Sequence, residues 1–357
     1  MKFFDFSKYF ALLVVFSLLI SGCGSKSSSG SGEDSSGEEK IVLKVASFFA
    51  DTTTTYQLFV KPWMERVTER TEGRVEFDYY PSEQLGKAGD LLKLTRDRVT
   101  DLSMLPTIYY ASEMPILNTL QNMPGITETS YQATMGMWDF IQENEDVLEH
   151  EFLKNGVRPL GALNSPPYQI WSKDLEIRTP DDLEGLKIKT AGGMSNKFFE
   201  FAGAVPVTVT FPEMYEAVEK GVVDALSIDG KPLVSSGVDE LLTHGVITNY
   251  GTSLQTLIIN ENVWQSLPDD VKEIMLETGL EVTEEIGIHE SEFAIEFFEE
   301  FKSEKTIVDL TEEEQQAWKK LAEDFQKKWI DENETDDFKI SDYLERYKKS
   351  LSKYEEE

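Results

Sequence analysis

The chain has 357 residues, with 66 acidic against 34 basic side chains and a formal charge of −32; a surface of that sign repels nucleic acid and acidic bilayers, which excludes polyanion binding as the leading function. A hydrophobic fraction of 40% and an aromatic fraction of 11% supply enough apolar surface for a packed core, and the length suits two domains. One cysteine and three histidines without tight spacing (His150, His244 and His289) exclude an internal disulfide and a cysteine-rich metal cluster and argue against a histidine-based triad, so no metal or cofactor is expected.

The first ten residues carry Lys2 and Lys8, and residues 11–20 (ALLVVFSLLI) form a short apolar run. That run is too short for a lasting membrane anchor and suits the core of a signal peptide. Ile20-Ser21-Gly22-Cys23 follows and resembles a bacterial lipobox. Small residues at 21 and 22 give a peptidase access to the bond before Cys23, whose thiol would then carry a diacylglycerol. Two acyl chains hold a protein on a membrane; one holds it only marginally. Residues 24–40 contain no apolar side chain and read as a flexible tether, roughly 20–25 Å in root-mean-square span. Cleavage removes Lys2, Lys8 and Asp5, leaving a mature charge of −33.

From Ile41 the pattern alternates. Residues 41–46 read as a strand, and residues 56–71 as a helix with Leu58, Phe59, Trp63 and Val67 near helical period. A strand at 74–80, a helix at 88–95 and strands at 101–105 and 156–163 follow. Further strands are predicted at 183–190, 205–209, 222–228 and 251–259. Helices are predicted at 194–202 and 212–220, the latter with Pro212 at its first position and Gly221 at its end. Such alternation implies an α/β architecture with largely parallel sheets. From Leu267-Pro268 a long amphipathic helix runs toward Lys302. Thr311 and Glu314 form a capping box that opens a helix with Trp318, Leu321, Phe325 and Trp329 on its core side.

The stretch from Asp182 to Gly230 resembles the solute-binding subunits of tripartite ATP-independent periplasmic (TRAP) transporters, the DctP-type family. The matching residues are Asp182, Leu183, Gly185, Leu186, Lys187 and Ile188, then Gly203, Ala204 and Pro206, then Glu213, Tyr215, Ala217, Gly221, Val223 and Asp224. Weaker matches occur at Thr71–Val75, Tyr80-Pro81, Gln84–Gly86 and Asn262–Pro268, so the likeness runs over about residues 41–330. It implies a two-lobed, hinged periplasmic-binding-protein-like fold with a long helix across both lobes and C-terminal helices. One small solute would be captured between the lobes and handed to the small and large membrane subunits of a permease, with no covalent chemistry. A monomer on the outer face of the membrane is expected. The implied division is 1–22 signal peptide, 23–40 tether, 41–165 with about 251–290 as the first lobe, 166–250 with about 291–330 as the second, and 331–357 as a helical tail.

The family's carboxylate-binding arginine falls here on Lys189, and a second arginine of some members falls on Gln169. None of the eight arginines (66, 70, 74, 96, 98, 158, 178 and 346) matches the clamp, so the expected anion partner is one lysine. The family's pocket asparagine falls near Ile228 or Asp229. Tyr168, Trp171, Phe48 and Phe211 are expected at the pocket as well, with Phe49, Tyr109 and Tyr110 divided evenly between pocket and core. Strand alternation puts Gln169 and Trp171 on one face, and Phe211 leads into a helix N-terminus, whose free N–H groups attract anions. Aromatic walls with one lysine suit a small monocarboxylate with an apolar body; aromatics with Asp229 suit a cation or zwitterion, and a neutral solute also stays open. Two rivals compete with transport. Glu213 and Asp224 could form a catalytic acid/base pair, but an acid near a helix start is expected for dipole reasons alone. A lipoprotein feeding a sensor is the other.

Overall fold

The structure is a computed structural model and describes residues 40–209 and 213–355. The first half gives β1 (Ile41–Ser47), α1 (Lys61–Arg70, entered through a π-helical turn at Tyr56–Val60), β2 (Val75–Tyr80), α2 (Leu91–Arg96) and β3 (Leu102–Pro106). Then come α3 (Pro115–Gln121), α4 (Ser130–Glu143), α5 (Glu145–Glu151), β4 (Val157–Asn164) and β5 (Tyr168–Ser172). The second half holds β6 (Lys187–Thr190), α6 (Met194–Phe201), β7 (Val205–Thr208), α7 (Met214–Glu219), β8 (Ala225–Ile228), α8 (Gly230–Ser236), β9 (His244–Tyr250) and β10 (Leu254–Asn260). The chain finishes with α9 (Glu261–Ser266), α10 (Asp269–Glu304), β11 (Thr306–Ile307), α11 (Glu312–Asn333) and α12 (Ile340–Leu351). Local signals set several ends. Thr311 caps α11 through the expected box with Glu314. Gly221, at φ +67°, follows α7 in a conformation that favours glycine.

The strands form two sheets, ordered β2-β1-β3-β10-β4 and β11-β9-β5-β8-β6-β7. The sheets are mixed rather than largely parallel. β10 runs antiparallel to both β3 and β4, and β5 antiparallel to both β8 and β9. These two strands adjoin the places where the chain passes from one sheet to the other. It leaves the first sheet through residues 165–167 and returns through residues 251–253. The two linkers pair with each other, Ser165 N donating to Ser253 O at 3.0 Å and Tyr168 N to Gly251 O at 3.0 Å. Two neighbouring extended linkers are the geometry from which hinge closure is built.

Helix α10 is the third connection. At about 1.5 Å per residue it reaches roughly 54 Å. Its first part packs on α1, α4 and β4, its later part on α8 and β11. Gly279 lets it lie directly on β4, since a Cβ there would come within 1.7 Å of the Leu160 carbonyl oxygen. The Trp63 indole donates to Met275 O at 3.1 Å, and Arg66 grips Glu285 with two bonds of 2.9 and 2.8 Å. Under the first sheet Val45, Phe59, Trp63, Met275 and Ile286 close one core. Such buried apolar side chains contribute roughly 1.5–3 kcal/mol apiece. A second core joins Trp171, Met214, Leu226, Leu233, Phe297 and Phe301. A third runs continuously from Phe140 and Tyr347 to Ile188, Phe198, Tyr250 and Phe325. Trp318 and Phe325 are buried in it as predicted, with Leu321 and Trp329 packed partly buried against it. Helix α12 packs on α3 and α4, so the end of the chain returns to the first sheet's helices.

Candidate functional site

A cavity of about 760 Å³ opens where the two sheets' ends, the first linker and α10 come together. That volume lies within the range of small-molecule sites. The loop after β1 provides Phe48, Phe49 and the polar run Thr52–Thr55; β4 and the linker provide Leu163, Ser165 and Pro166. The start of α8 provides Asp229, Lys231 and Pro232, while β10 and α10 add Gln255 and Glu290. The Phe48 and Phe49 rings lie 3.9 Å apart and make one apolar wall. Gln255 Oε1 is buried at the wall and accepts no hydrogen bond from another described residue, an acceptor site that a bound molecule can fill.

Four charged side chains gather at the second-sheet side, in two arrangements. Lys231 pairs directly with Glu290, which is 3% exposed, and its ammonium lies 5.2 Å from the centre of the Phe293 ring. This corner is electrically closed. The other corner is open. Lys189 on β6 is 5% exposed and makes no hydrogen bond or ion pair with another described residue. Burial pulls its ammonium down to about 8, and the nearby Asp229 carboxylate opposes that fall. Asp229 is 6% exposed and caps α8, Oδ1 accepting from Lys231 N at 3.0 Å. Burial pushes its carboxyl up to about 7; the backbone bond from Lys231 opposes this and the charge of Glu290 adds to it. Asp229 thus answers to burial and Glu290 more than to Lys189, while Lys189 does feel Asp229. Tyr168, half-buried at the start of β5, has its phenol pushed well up by burial and then by the Asp229 charge.

The predicted residues divide. Phe48 and Asp229 line the cavity, and Phe49 joins Phe48 there. Lys189 and Tyr168 stand beside Asp229. Gln169 does not stand free at the polar end of a site. Its Oε1 accepts from Thr248 N and Asn249 N at 2.7 and 2.9 Å, and its Nε2 donates to Asn249 Oδ1 and Pro167 O at 2.8 and 3.0 Å. With all four bonds made, it braces the irregular register between β5 and β9. Trp171 is the larger correction. It is fully buried, its indole donates to Ile228 O at 2.9 Å, and its ring packs on Phe297, Phe298 and Phe301. The space comes from Gly245, where a Cβ would lie 2.5 Å from the Trp171 ring. Alternation identifies a face, but a strand inside a sheet has helices on both faces, and Trp171 points into the core behind the cavity. Tyr110 is core, donating to Ala88 O; Tyr109 is exposed. Phe211, Pro212 and Cys23 lie outside the described residues. The arginines serve as struts: Arg178 holds Glu314, Arg158 holds Glu261 and Arg346 holds Asp146.

Lys231 and Glu290 were missed. Glu290 sits among many exposed glutamates on α10, yet it continues the buried stripe Val282–Ile286 by one more turn. A carboxylate at an apolar phase of a helix was the available signal.

The sequence profile of the bacterial extracellular solute-binding protein, family 7 (DctP) matches residues 45–333. A curated relative named solute-binding protein, from Albidiferax ferrireducens, is 24% identical over 234 residues, 62% of this chain; the match spans 65% of that relative's own length. In three dimensions the chain resembles a TRAP periplasmic solute binding protein from Desulfovibrio salexigens in an open complex, at 25% identity and a TM-score of 0.79 over 88% of this chain and 97% of that one. It shares the fold of a TRAP solute binding protein from Rhodoferax ferrireducens in complex with copurified benzoate, at 23% identity and a TM-score of 0.75 over 88% and 98% of the two chains. The match covers nearly all of the described residues, and the chain belongs to the bacterial extracellular solute-binding proteins of family 7, the DctP family.

Proposed function

We propose that this chain is the solute-binding component of a TRAP transporter, taking up a small monocarboxylate with an apolar body and delivering it to the two membrane subunits of a permease. The observation that supports the reading most is Lys189, a buried ammonium without a partner among the described residues, next to a cavity with the Phe48–Phe49 wall. A buried unpaired charge is costly, and a ligand carboxylate removes that cost on binding. Lys231, the lysine in the cavity lining, is already neutralised by Glu290, so a dicarboxylate would find one cation rather than two. The benzoate found with the Rhodoferax protein is an acid of this general kind. In this reading the lobes are residues 41–165 with about 251–290, and 166–250 with about 291–330, closing about the paired linkers. Cys23 carries the lipid, and the tether keeps the folded part at the outer face of the membrane.

A thermal-shift screen over organic acids, amino acids and quaternary amines tests the solute class, because a ligand of the folded state alone raises the melting temperature with concentration. Carboxylates with apolar bodies are expected to give the shifts; shifts confined to uncharged or purely cationic compounds contradict the reading. For the anchor, Cys23→Ser is expected to leave the protein unprocessed or released, and an acylated, detergent-extractable variant would sink that part.

A further inference from the structure

Asp229 raises a question that a plain monocarboxylate does not answer. Lys231 and Glu290 cancel each other. That leaves one acid at the cavity wall, Asp229, and beside its strand one cation, Lys189, which pairs in register with Leu226 of β8, three residues before Asp229; both are more than nine-tenths buried and they are not ion-paired with each other. Asp229 Oδ1 is engaged by the Lys231 N–H, while Oδ2 accepts no hydrogen bond from another described residue. A plain carboxylate that reached Lys189 would bring its negative charge toward Asp229. Like charges sharing a poorly solvated site repel strongly.

We infer that the solute carries a protonated amine or imine-type nitrogen next to its carboxylate, directed at Asp229, which makes it an α-amino or α-imino acid with an apolar side chain. This rests on the carboxylate reading of Lys189 and narrows it. Each charged end of such a zwitterion meets the opposite charge: carboxylate to Lys189, ammonium to Asp229. The cavity's charge stays balanced with the solute in place. Hydrogen bonds between charged partners are the strong ones and fix orientation. The apolar side chain would lie on Phe48, Phe49, Leu163 and Pro166. A quaternary cation without a carboxylate would satisfy Asp229 and leave Lys189 unpaired. Capping α8 does not by itself require an acid, since asparagine caps a helix as well as aspartate does.

The test is calorimetry at pH 7.5 with three matched pairs that differ only in the nitrogen: leucine with 4-methylpentanoate, phenylalanine with 3-phenylpropanoate, and proline with cyclopentanecarboxylate. The nitrogen-bearing member of at least one pair is expected to bind at least ~10-fold more tightly, the scale of one charge-assisted hydrogen bond. In Asp229→Asn that preference is expected to fall by a similar factor, with the nitrogen-free acid gaining affinity as the repelling charge is removed. Tighter binding of the nitrogen-free acids by the wild-type protein overturns the inference and leaves the carboxylate reading standing. So does a preference undiminished in Asp229→Asn. Binding of neither member in any pair overturns both. The wild-type comparison decides by itself if the variant proves unstable.

Discussion

The two charged corners of the cavity use the same chemistry to opposite ends. At one, Lys231 reaches Glu290 and Phe293, and the charge is settled within the protein. At the other, Lys189 is far more deeply buried than Lys231, and it and Asp229 do not meet, so each charge is left in want of a partner. Evolution of a rigid scaffold would remove such a pair or close it, because replacing buried charges by apolar groups is often neutral or stabilising. A corner kept open is where a ligand's charges can be worth more than water offers.

The largest break in this picture is to remove the core on which the open corner rests. Trp171 holds the carbonyl of Ile228, the residue before Asp229, and fills the space over Gly245. Trp171→Ala is expected to cost about 3–5 kcal/mol in chemical denaturation, the usual range for a buried aromatic. Because Trp171 lies behind the cavity, Trp171→Phe is expected to leave ligand-induced fluorescence changes largely in place. Loss of most of that change would put the ring at the solute.

The pH dependence of stability separates the corners next. Asp229 titrates near 7 in the fold against an ordinary value near 3.8. A raised folded value means its contribution is greatest below about pH 4, declines as pH rises and is lost above about 7. Lys189 runs the other way, its lowered value of about 8 giving a contribution present above about 10.5 and lost as pH falls through 8. Between about 7 and 8 both are charged and both oppose folding. Asp229→Asn is therefore expected to gain stability over wild type at pH 8, by no more than the ~4 kcal/mol that three pH units allow, and to show no gain at pH 3.5. An equal gain at both values would show that Asp229 is already ionised without penalty.

Removing each lysine sharpens the contrast. Lys231→Met leaves Glu290 buried and unpaired and is expected to destabilise the fold by about 1–3 kcal/mol. Lys189→Met is expected to leave stability unchanged or raised while weakening acid binding by ~10- to 150-fold, the equivalent of about 1.5–3 kcal/mol. The reverse pattern, stability lost at Lys189 and binding lost at Lys231, would exchange their roles. The smallest effect belongs to a strut remote from both corners. Arg158 grips Glu261 through two 2.9 Å bonds near the start of β4, the end away from the cavity-lining Leu163, and Arg158→Ala is expected to cost about 0.5–1.5 kcal/mol with binding unchanged.

Much of the fold was legible because local signals and tertiary packing agree. The capping box at Thr311 and the stop at Gly221 do in the structure what the pattern requires, and Val271, Met275, Ile286 and Phe297 bury one stripe of α10, while Leu280, apolar as well, lies exposed. β9 was not anticipated: His244–Tyr250 mixes polar and apolar residues, and its place between β11 and β5 depends on partners far away in sequence. Parallel order was overestimated for a related reason, since strand direction follows from where the chain crosses between sheets, and no periodicity records that. At the site, a family pattern pointed to Lys189 and Asp229, which are polar at positions otherwise buried. Gln169 and Trp171 were misjudged because side-chain alternation tells which residues share a face and is silent on what covers it. Glu290 and Lys231 were invisible as a pair: 59 residues separate them, and only the packing of α8 against α10 brings them together.

In this reading Lys189, beside Asp229, is the cation kept for the solute. A crystal structure of the protein bound to the tightest carboxylate from the screen tests it most directly. The expected structure has a carboxylate oxygen within about 2.7–3.2 Å of Lys189 Nζ, Lys231 still on Glu290 and Trp171 still against Phe297. A carboxylate held by other groups, with Lys189 Nζ left unpaired, would contradict it.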